Sequence, residues 1–142
     1  MKSIPANCPH WLERKILDVG GEISFYDFMN LALNDENNGY YGSGKSQIGI
    51  KGDFVTSPSL TDDFSFLLSK QIEEWLLEII NKVESHKKLT ILEFGSGDGS
   101  LIGGIIKYFL KKNKEFIQKL SFEILEPNKG MRNKQKVFLN NH

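Results

Sequence analysis

Cysteine is nearly missing from this sequence: Cys8 stands alone among 142 residues. An intramolecular disulfide is thereby excluded, and a lone thiol fits a reducing compartment. Long apolar runs are missing too. None approaches the roughly 18 residues that a membrane-crossing helix needs, so membrane insertion is not expected. Net charge is absent, with 18 basic side chains set against 18 acidic ones. Without a field of one sign, neither nucleic acid nor an anionic membrane is indicated as a partner. The first dozen residues lack the apolar core of a secretory signal and the Arg-rich pattern of a transit peptide. These shortages predict a cytoplasmic protein, and no metal site is read from the sequence.

What is present is material for a core. Apolar residues make up 39%, charged residues 25%, and phenylalanine occurs ten times. That balance is globular, and the length is nominally that of one domain. A first helix is predicted over residues 9–19, with Pro9 in its opening turn, Leu12, Ile16 and Val19 on one face, and Gly20-Gly21 as its stop. Ser24 with Asp27 resembles a capping box for a second helix near 25–34. That helix is expected to turn Phe25, Phe28, Met29, Ala32 and Leu33 toward the core. Residues 39–60 carry five glycines and read as a long loop, with short strand pieces near 47–50 and 54–56. Thr61 can cap the next helix. Phe64, Leu67, Leu68, Ile72, Trp75, Leu76, Ile79, Ile80 and Val83 recur there at helical spacing, which predicts a core-facing stripe. Ser85 to Lys88 is a polar turn, with His86 solvated.

The second half is built around Leu89 to Gly99. A buried strand over 89–94 leads into a glycine loop, and a helix over about 100–112 leaves it. Gly103-Gly104 inside that helix is costly, at about 1 kcal/mol per glycine against alanine, and suggests close packing on the sheet. Asn113 to Lys119 reads as a turn with one helical turn more. Residues 121–126 read as a second strand ending in Glu126, and a helical stretch follows over 129–139. Its Lys129, Arg132, Lys134 and Lys136 are read as a solvated face.

Two glycine motifs compete for the function. Gly39 to Ser46 matches the phosphate-loop pattern letter for letter. That chemistry needs a buried strand before the loop and a helix beginning at Lys45-Ser46, so that amides cradle phosphate. Polar turn formers precede this loop and further glycines follow it. Glu93-x-Gly95-x-Gly97-x-Gly99 has the context that the first motif lacks. It differs from the dinucleotide spacing G-x-G-x-x-G, and Glu126 follows at more than the roughly 20 residues typical there. Its form resembles the S-adenosylmethionine site of doubly wound methyltransferases. That likeness implies backbone contact by Gly95, Ser96, Gly97 and Gly99, ribose contact by Glu126, and Glu93 beneath the loop. A structural glycine turn that binds nothing is the plain alternative.

Further segments narrow the resemblance. They are Ile23-Ser24-Phe25-x-x-Phe28-Met29, Gly39-Tyr40-Tyr41, Gly52-Asp53-Phe54-Val55-Thr56-Ser57-Pro58, and Glu126-Pro127 after the glycine loop. In this order they are similar to the MidA family of methyltransferases, relatives of a mitochondrial complex I assembly factor with protein-arginine methyltransferase activity. The resemblance implies that the 39–60 loop covers the cofactor, with Gly52, Asp53, Thr56 and Ser57 as contacts and Asp53 as a candidate base. Ser59 stands where the family usually has Glu, and Asp98 where it usually has Arg. The expected fold class is α/β: the N-terminal part of a Rossmann-like, class I methyltransferase fold. Residues 1–60 would form a helical cap and covering loop, and 61–142 an incomplete core. Family members are several times longer, so the expectation is a truncated enzyme with exposed apolar faces. It would be marginally stable alone, or would self-associate or pair with a missing half. A protein substrate is implied. The alternatives are a phosphate-loop nucleotide binder using Gly39–Ser46 and a non-catalytic interaction remnant.

Overall fold

The computed structural model describes residues 8–80, 82, 87–112 and 114–141. The element order is α1 (His10–Asp18), α2 (Phe25–Asn34), α3 (Ser57–Leu60), α4 (Asp62–Ile80), β1 (Leu89–Phe94), α5 (Ser100–Lys112), α6 (Lys114–Gln118), β2 (Leu120–Leu125) and α7 (Lys129–Asn140). Val83, Ser85, His86 and Asn113 lie outside the described residues, and so do the expectations placed on them.

The two strands pair in parallel, from Leu89 opposite Leu120 to Phe94 opposite Leu125. Parallel neighbours need a crossover, and α5 with α6 supplies it. Leu89, Ile91 and Phe122 pack on a core of Leu76, Ile105, Tyr108, Phe109 and Leu120. Phe109 is the centre of this core, with rings of Tyr108, Phe116 and Phe122 at centroid distances of 5.3, 5.7 and 6.4 Å. The other face of the sheet is bare: Leu92, Phe94 and Leu125 are 45%, 68% and 56% exposed. The expected buried strand is thus covered on one face only.

The long helix corrects a second expectation. Half of the described positions of its predicted stripe lie outside: Phe64, Leu67, Trp75 and Ile79 are exposed. The buried positions of α4 are Ser65, Ser69 and Leu76, with Leu68 and Ile72 half-covered against the core. Small residues win this face because α5 approaches closely there. A Cβ added to Gly104 would overlap the Ser65 side chain, and one added to Gly103 would lie 2.9 Å from the Phe138 ring. The glycine pair therefore admits two helices, α4 and α7, rather than the sheet. α2 departs similarly. Phe25 and Phe28 are exposed, while Met29, Ala32 and Leu33 are half-buried.

Helix ends follow local chemistry. The Asp27 amide donates to the Ser24 hydroxyl at 3.1 Å, which satisfies an orphan N–H of α2. The reciprocal half of the box is altered: the Ser24 hydroxyl donates to the Asp27 carboxylate at 2.6 Å. After α2, the Asp35 carboxylate accepts from the amides of Asn37 and Asn38 at 3.0 and 2.9 Å and turns the chain. The four-residue α3 has no counterpart in the sequence reading. Ser59 builds it, since its hydroxyl accepts from the Thr56 amide at 3.1 Å and donates to the Thr56 carbonyl at 2.7 Å.

Candidate functional site

The glycine loop leaves β1 at Gly95, whose amide donates to the Leu125 carbonyl at 3.0 Å. The last rung of the sheet thus sets the start of the loop. Gly97 has φ +57°, a conformation that a side chain disfavours by about 1–2 kcal/mol. The Asp98 carboxylate accepts from the Ser100 amide at 3.0 Å and opens α5. Glu126 follows β2 directly. Its Oε1 accepts from the Asn128 amide at 2.9 Å, so the chain turns around its own carboxylate.

The 39–60 loop is ordered by backbone bonds to the end of α2 and within itself. The amides of Tyr40 and Tyr41 donate to Ala32 and Leu33 carbonyls, each at 2.8 Å. Ile48 and Phe54 form a parallel bridge, which realises the expected strand pieces in minimal form. The loop then docks on α7. The Gly130 amide donates to the Gly42 carbonyl at 2.9 Å, and the fully buried Ser46 hydroxyl lies 3.1 Å from the Met131 sulfur. Lys134 donates to the Ser46 carbonyl. Lys134 is therefore a clasp between loop and helix, not part of a solvated face.

Loop and sheet end enclose a cavity of about 480 Å³. Glu93, Gly95, Ser96, Gly97, Asp98 and Glu126 line it from the sheet side, and Tyr41, Ile48, Phe54, Thr56 and Pro58 from the loop side. Of the residues singled out in the sequence, Glu93, Gly95, Ser96, Gly97, Thr56 and Glu126 thus come together. Gly99 packs instead on Gln135, 3.7 Å from where a Cβ would stand. Gly52 lines a smaller hollow of about 300 Å³ with Asp98 and Lys134. Ser57 opens α3 outside the cavity wall. Asp53 serves the loop's own fold, accepting from the Tyr40 hydroxyl at 2.5 Å and the Gln47 amide at 3.2 Å. Those two bonds hold its carboxyl below the ordinary value, and the same Asp53 bond pushes Tyr40 up to about 12.

The electrostatic anomaly sits at Glu93. Burial raises its pKa, opposed only in part by Ser96 and the Ile102 amide. Glu93 Oε2 and the Ser96 hydroxyl are buried close to each other, with no hydrogen bond of ordinary geometry from either to the described residues. Orphan polar atoms in a cavity wall are places for a ligand's donors, because leaving them unpaired costs about 1–3 kcal/mol each. The set suits S-adenosyl-L-methionine: acceptors for an ammonium and for hydroxyls, open glycine backbone, and apolar Ile48, Phe54, Leu101 and Met131 for a ring.

The phosphate-loop alternative fails on the same geometry. No helix begins at Lys45 or Ser46, the element before Gly39 is α2 rather than a strand, and the Ser46 hydroxyl is spent on Met131. Sequence reasoning missed Met131, which lines the cavity, and Gln135, which lies behind it against Gly97 and Glu126. Their spacing with Phe138, one helical face amid lysines, was the available signal.

Residues 71–142 match a family model described as "Putative S-adenosyl-L-methionine-dependent methyltransferase". The chain is 34% identical over 99 residues to the protein arginine methyltransferase NDUFAF7, mitochondrial, of Danio rerio, covering 69% of this chain and 22% of that protein. To its Homo sapiens counterpart it is 32% identical over 90 residues, covering 63% and 19%. It spans about a fifth of the length of these relatives. A COG1565 superfamily protein from Burkholderia thailandensis, solved bound to S-adenosyl-homocysteine, superposes with a TM-score of 0.68 at 25% identity. That match covers 98% of this chain and 37% of the solved one.

Proposed function

Since this chain belongs to the S-adenosyl-L-methionine-dependent methyltransferase family whose model it matches, we propose that its 480 Å³ cavity is the cofactor site. The carrying observation is the meeting of the buried Glu93 Oε2 and Ser96 hydroxyl, neither in a hydrogen bond of ordinary geometry, with Glu126 across an open glycine loop. In this reading Glu93 and Ser96 receive the amino-acid end, Glu126 accepts the ribose hydroxyls, and Gly95 and Gly97 offer backbone. Thr56 and the loop residues Tyr41, Ile48 and Phe54 cover the site from above. Gly52, Asp53, Ser57 and Gly99 support from behind, by holding the covering loop or seating α5 against α7. The bound cofactor supplies a sulfonium methyl group open to nucleophilic attack.

The acceptor we propose is a protein arginine, on the strength of the NDUFAF7 relatives. A guanidinium nitrogen needs orientation and loss of water more than a covalent intermediate. Asp53 is committed to Tyr40 and Gln47 and is no longer favoured as the base. The bare sheet face and exposed α4 stripe support association, with a second copy or with a polypeptide that adds strands, as part of the active form. The cytoplasm remains the proposed compartment.

Calorimetry tests the cofactor site directly. S-adenosyl-homocysteine should give heat and ATP–Mg²⁺ none. Heat from ATP that Lys45→Ala abolishes would reverse the reading. Methylation of an arginine peptide tests the acceptor separately.

A further inference from the structure

Gln135 is the buried polar side chain of α7 that has no role in the reading so far. It is 4% exposed, and its Nε2 donates to the Gly97 carbonyl at 3.0 Å and to Glu126 Oε2 at 3.4 Å. A primary amide has two N–H donors, and here both have acceptors, one on each half of the site. The Glu126 carboxylate is held at both oxygens, Oε1 by the Asn128 amide and Oε2 by Gln135. Each oxygen has two acceptor directions, so one is left on each. Two free acceptor positions on adjacent, fixed oxygens fit a pair of neighbouring hydroxyls. Glu126 alone, on the turn after β2, could rotate about its side chain and present one oxygen or the other.

We propose that Gln135 is a positioning residue that locks the Glu126 carboxylate in the rotamer that accepts a vicinal diol, and ties that rotamer to the Gly97 carbonyl of the glycine loop. Preference for a ribose over a deoxyribose ligand is then set by Gln135 acting through Glu126. This rests on the cofactor reading above. Gln135→Met keeps length and removes the amide. Gln135→Glu puts a second carboxyl 3.4 Å from Glu126 Oε2, where the two would share a proton.

The experiment is calorimetry on the full chain with S-adenosyl-homocysteine and with its 2′-deoxy analogue. Gln135→Met should weaken the ribo ligand about tenfold, the scale of one hydrogen bond to a charged group, and the deoxy ligand less than about twofold. In a Glu126→Ala background Gln135→Met should have no further effect on the ratio. Gln135→Glu should lose affinity relative to the wild type as pH rises, so that the ratio of the two affinities, in which the Glu93 titration they share cancels, falls with pH. Equal losses for both ligands, additivity with Glu126→Ala, or a ratio of Gln135→Glu to wild-type affinity that does not vary with pH would reduce Gln135 to a packing residue. If Gln135→Met does not fold, the pH profile of Gln135→Glu decides. No heat from the wild type with either ligand overturns the cofactor reading and this inference with it; wild-type heat with equal losses overturns this inference alone.

Discussion

The chain has two glycine-rich loops, and apart from Gly49, which is as open as Gly95, and Gly99, which packs on Gln135, their glycines do opposite things. Those at 39, 42 and 52 sit where an added Cβ would run into backbone of Asp35, Asn34 or Gln47, and Gly130 of α7 meets Gly44 in the same way. There glycine allows chain to lie on chain. In the loop after β1, Gly95 has nothing within 4 Å of that position, and Gly97 meets only the end of the Ile48 side chain at 3.1 Å. There glycine supplies a backbone shape and keeps space open for something else. A pattern of letters cannot separate the two uses. The first loop matched a phosphate-binding motif letter for letter, yet its Gly39 and Gly42 are closed by backbone and no helix begins at its Ser46; the second lines the cavity.

The comparison breaks most visibly under alanine. Gly42→Ala and Gly130→Ala each force backbone apart and should cost about 3 kcal/mol in denaturant unfolding, with the covering loop becoming protease-labile. Wild-type stability in Gly130→Ala would mean that the loop does not dock on α7, and in Gly42→Ala that it does not fold back on the end of α2. Gly97→Ala should cost less in stability, about 1–2 kcal/mol from its positive φ, yet lower affinity for S-adenosyl-homocysteine at least tenfold. Loss of stability without loss of affinity would place the ligand elsewhere.

Charge sharpens the contrast further. Glu93, beside the open loop, binds its proton more tightly folded than unfolded. Its contribution to stability is full below the ordinary value of 4.5 and declines as pH rises toward its elevated folded value. Glu93→Gln removes that decline. The variant's melting temperature should gain on the wild type above pH 4.5, while its affinity for S-adenosyl-homocysteine falls. A difference between the two melting curves that does not vary with pH would show that Glu93 is not desolvated. In the packed loop the sign is reversed. Asp53 is held below its ordinary value, so its contribution is present at neutral pH and lost as pH falls. Tyr40 contributes below its ordinary value of 10.0, and that is lost as pH rises through about 12. Asp53→Asn should bring the Tyr40 titration, followed by ultraviolet absorbance, back toward 10.0, with the smallest stability change of the series because both groups are exposed.

The strand, glycine loop and helix over Leu89 to Lys112 were legible because period and punctuation are local properties of the chain. So was the convergence of Glu93 and Glu126, since parallel pairing brings both strand ends to one edge. Burial was less legible. Phe64 and Trp75 have the hydrophobicity of core residues, but Ser65 and Ser69 occupy the face that α5 approaches, and that choice depends on Gly104 across the gap. Gln135 was invisible for a related reason. A glutamine among lysines reads as surface until the Gly97 carbonyl and Glu126 are placed beside it.

The docking of the covering loop on α7 has a consequence in time. Ser46 meets Met131 and Lys134 across 85 and 88 residues of chain, so these contacts close one of the longest loops in the molecule. Closing such a loop is slow relative to forming β1, α5 and β2, whose contacts are near in sequence. A ribosome releasing this chain from its N-terminus would expose the glycine segment at 39–60 well before its anchor exists. The pocket floor would form as a unit and wait for its roof. Nascent chains arrested before and after α7 emerges, probed with a protease, should differ at residues 39–60 and nowhere else to the same degree.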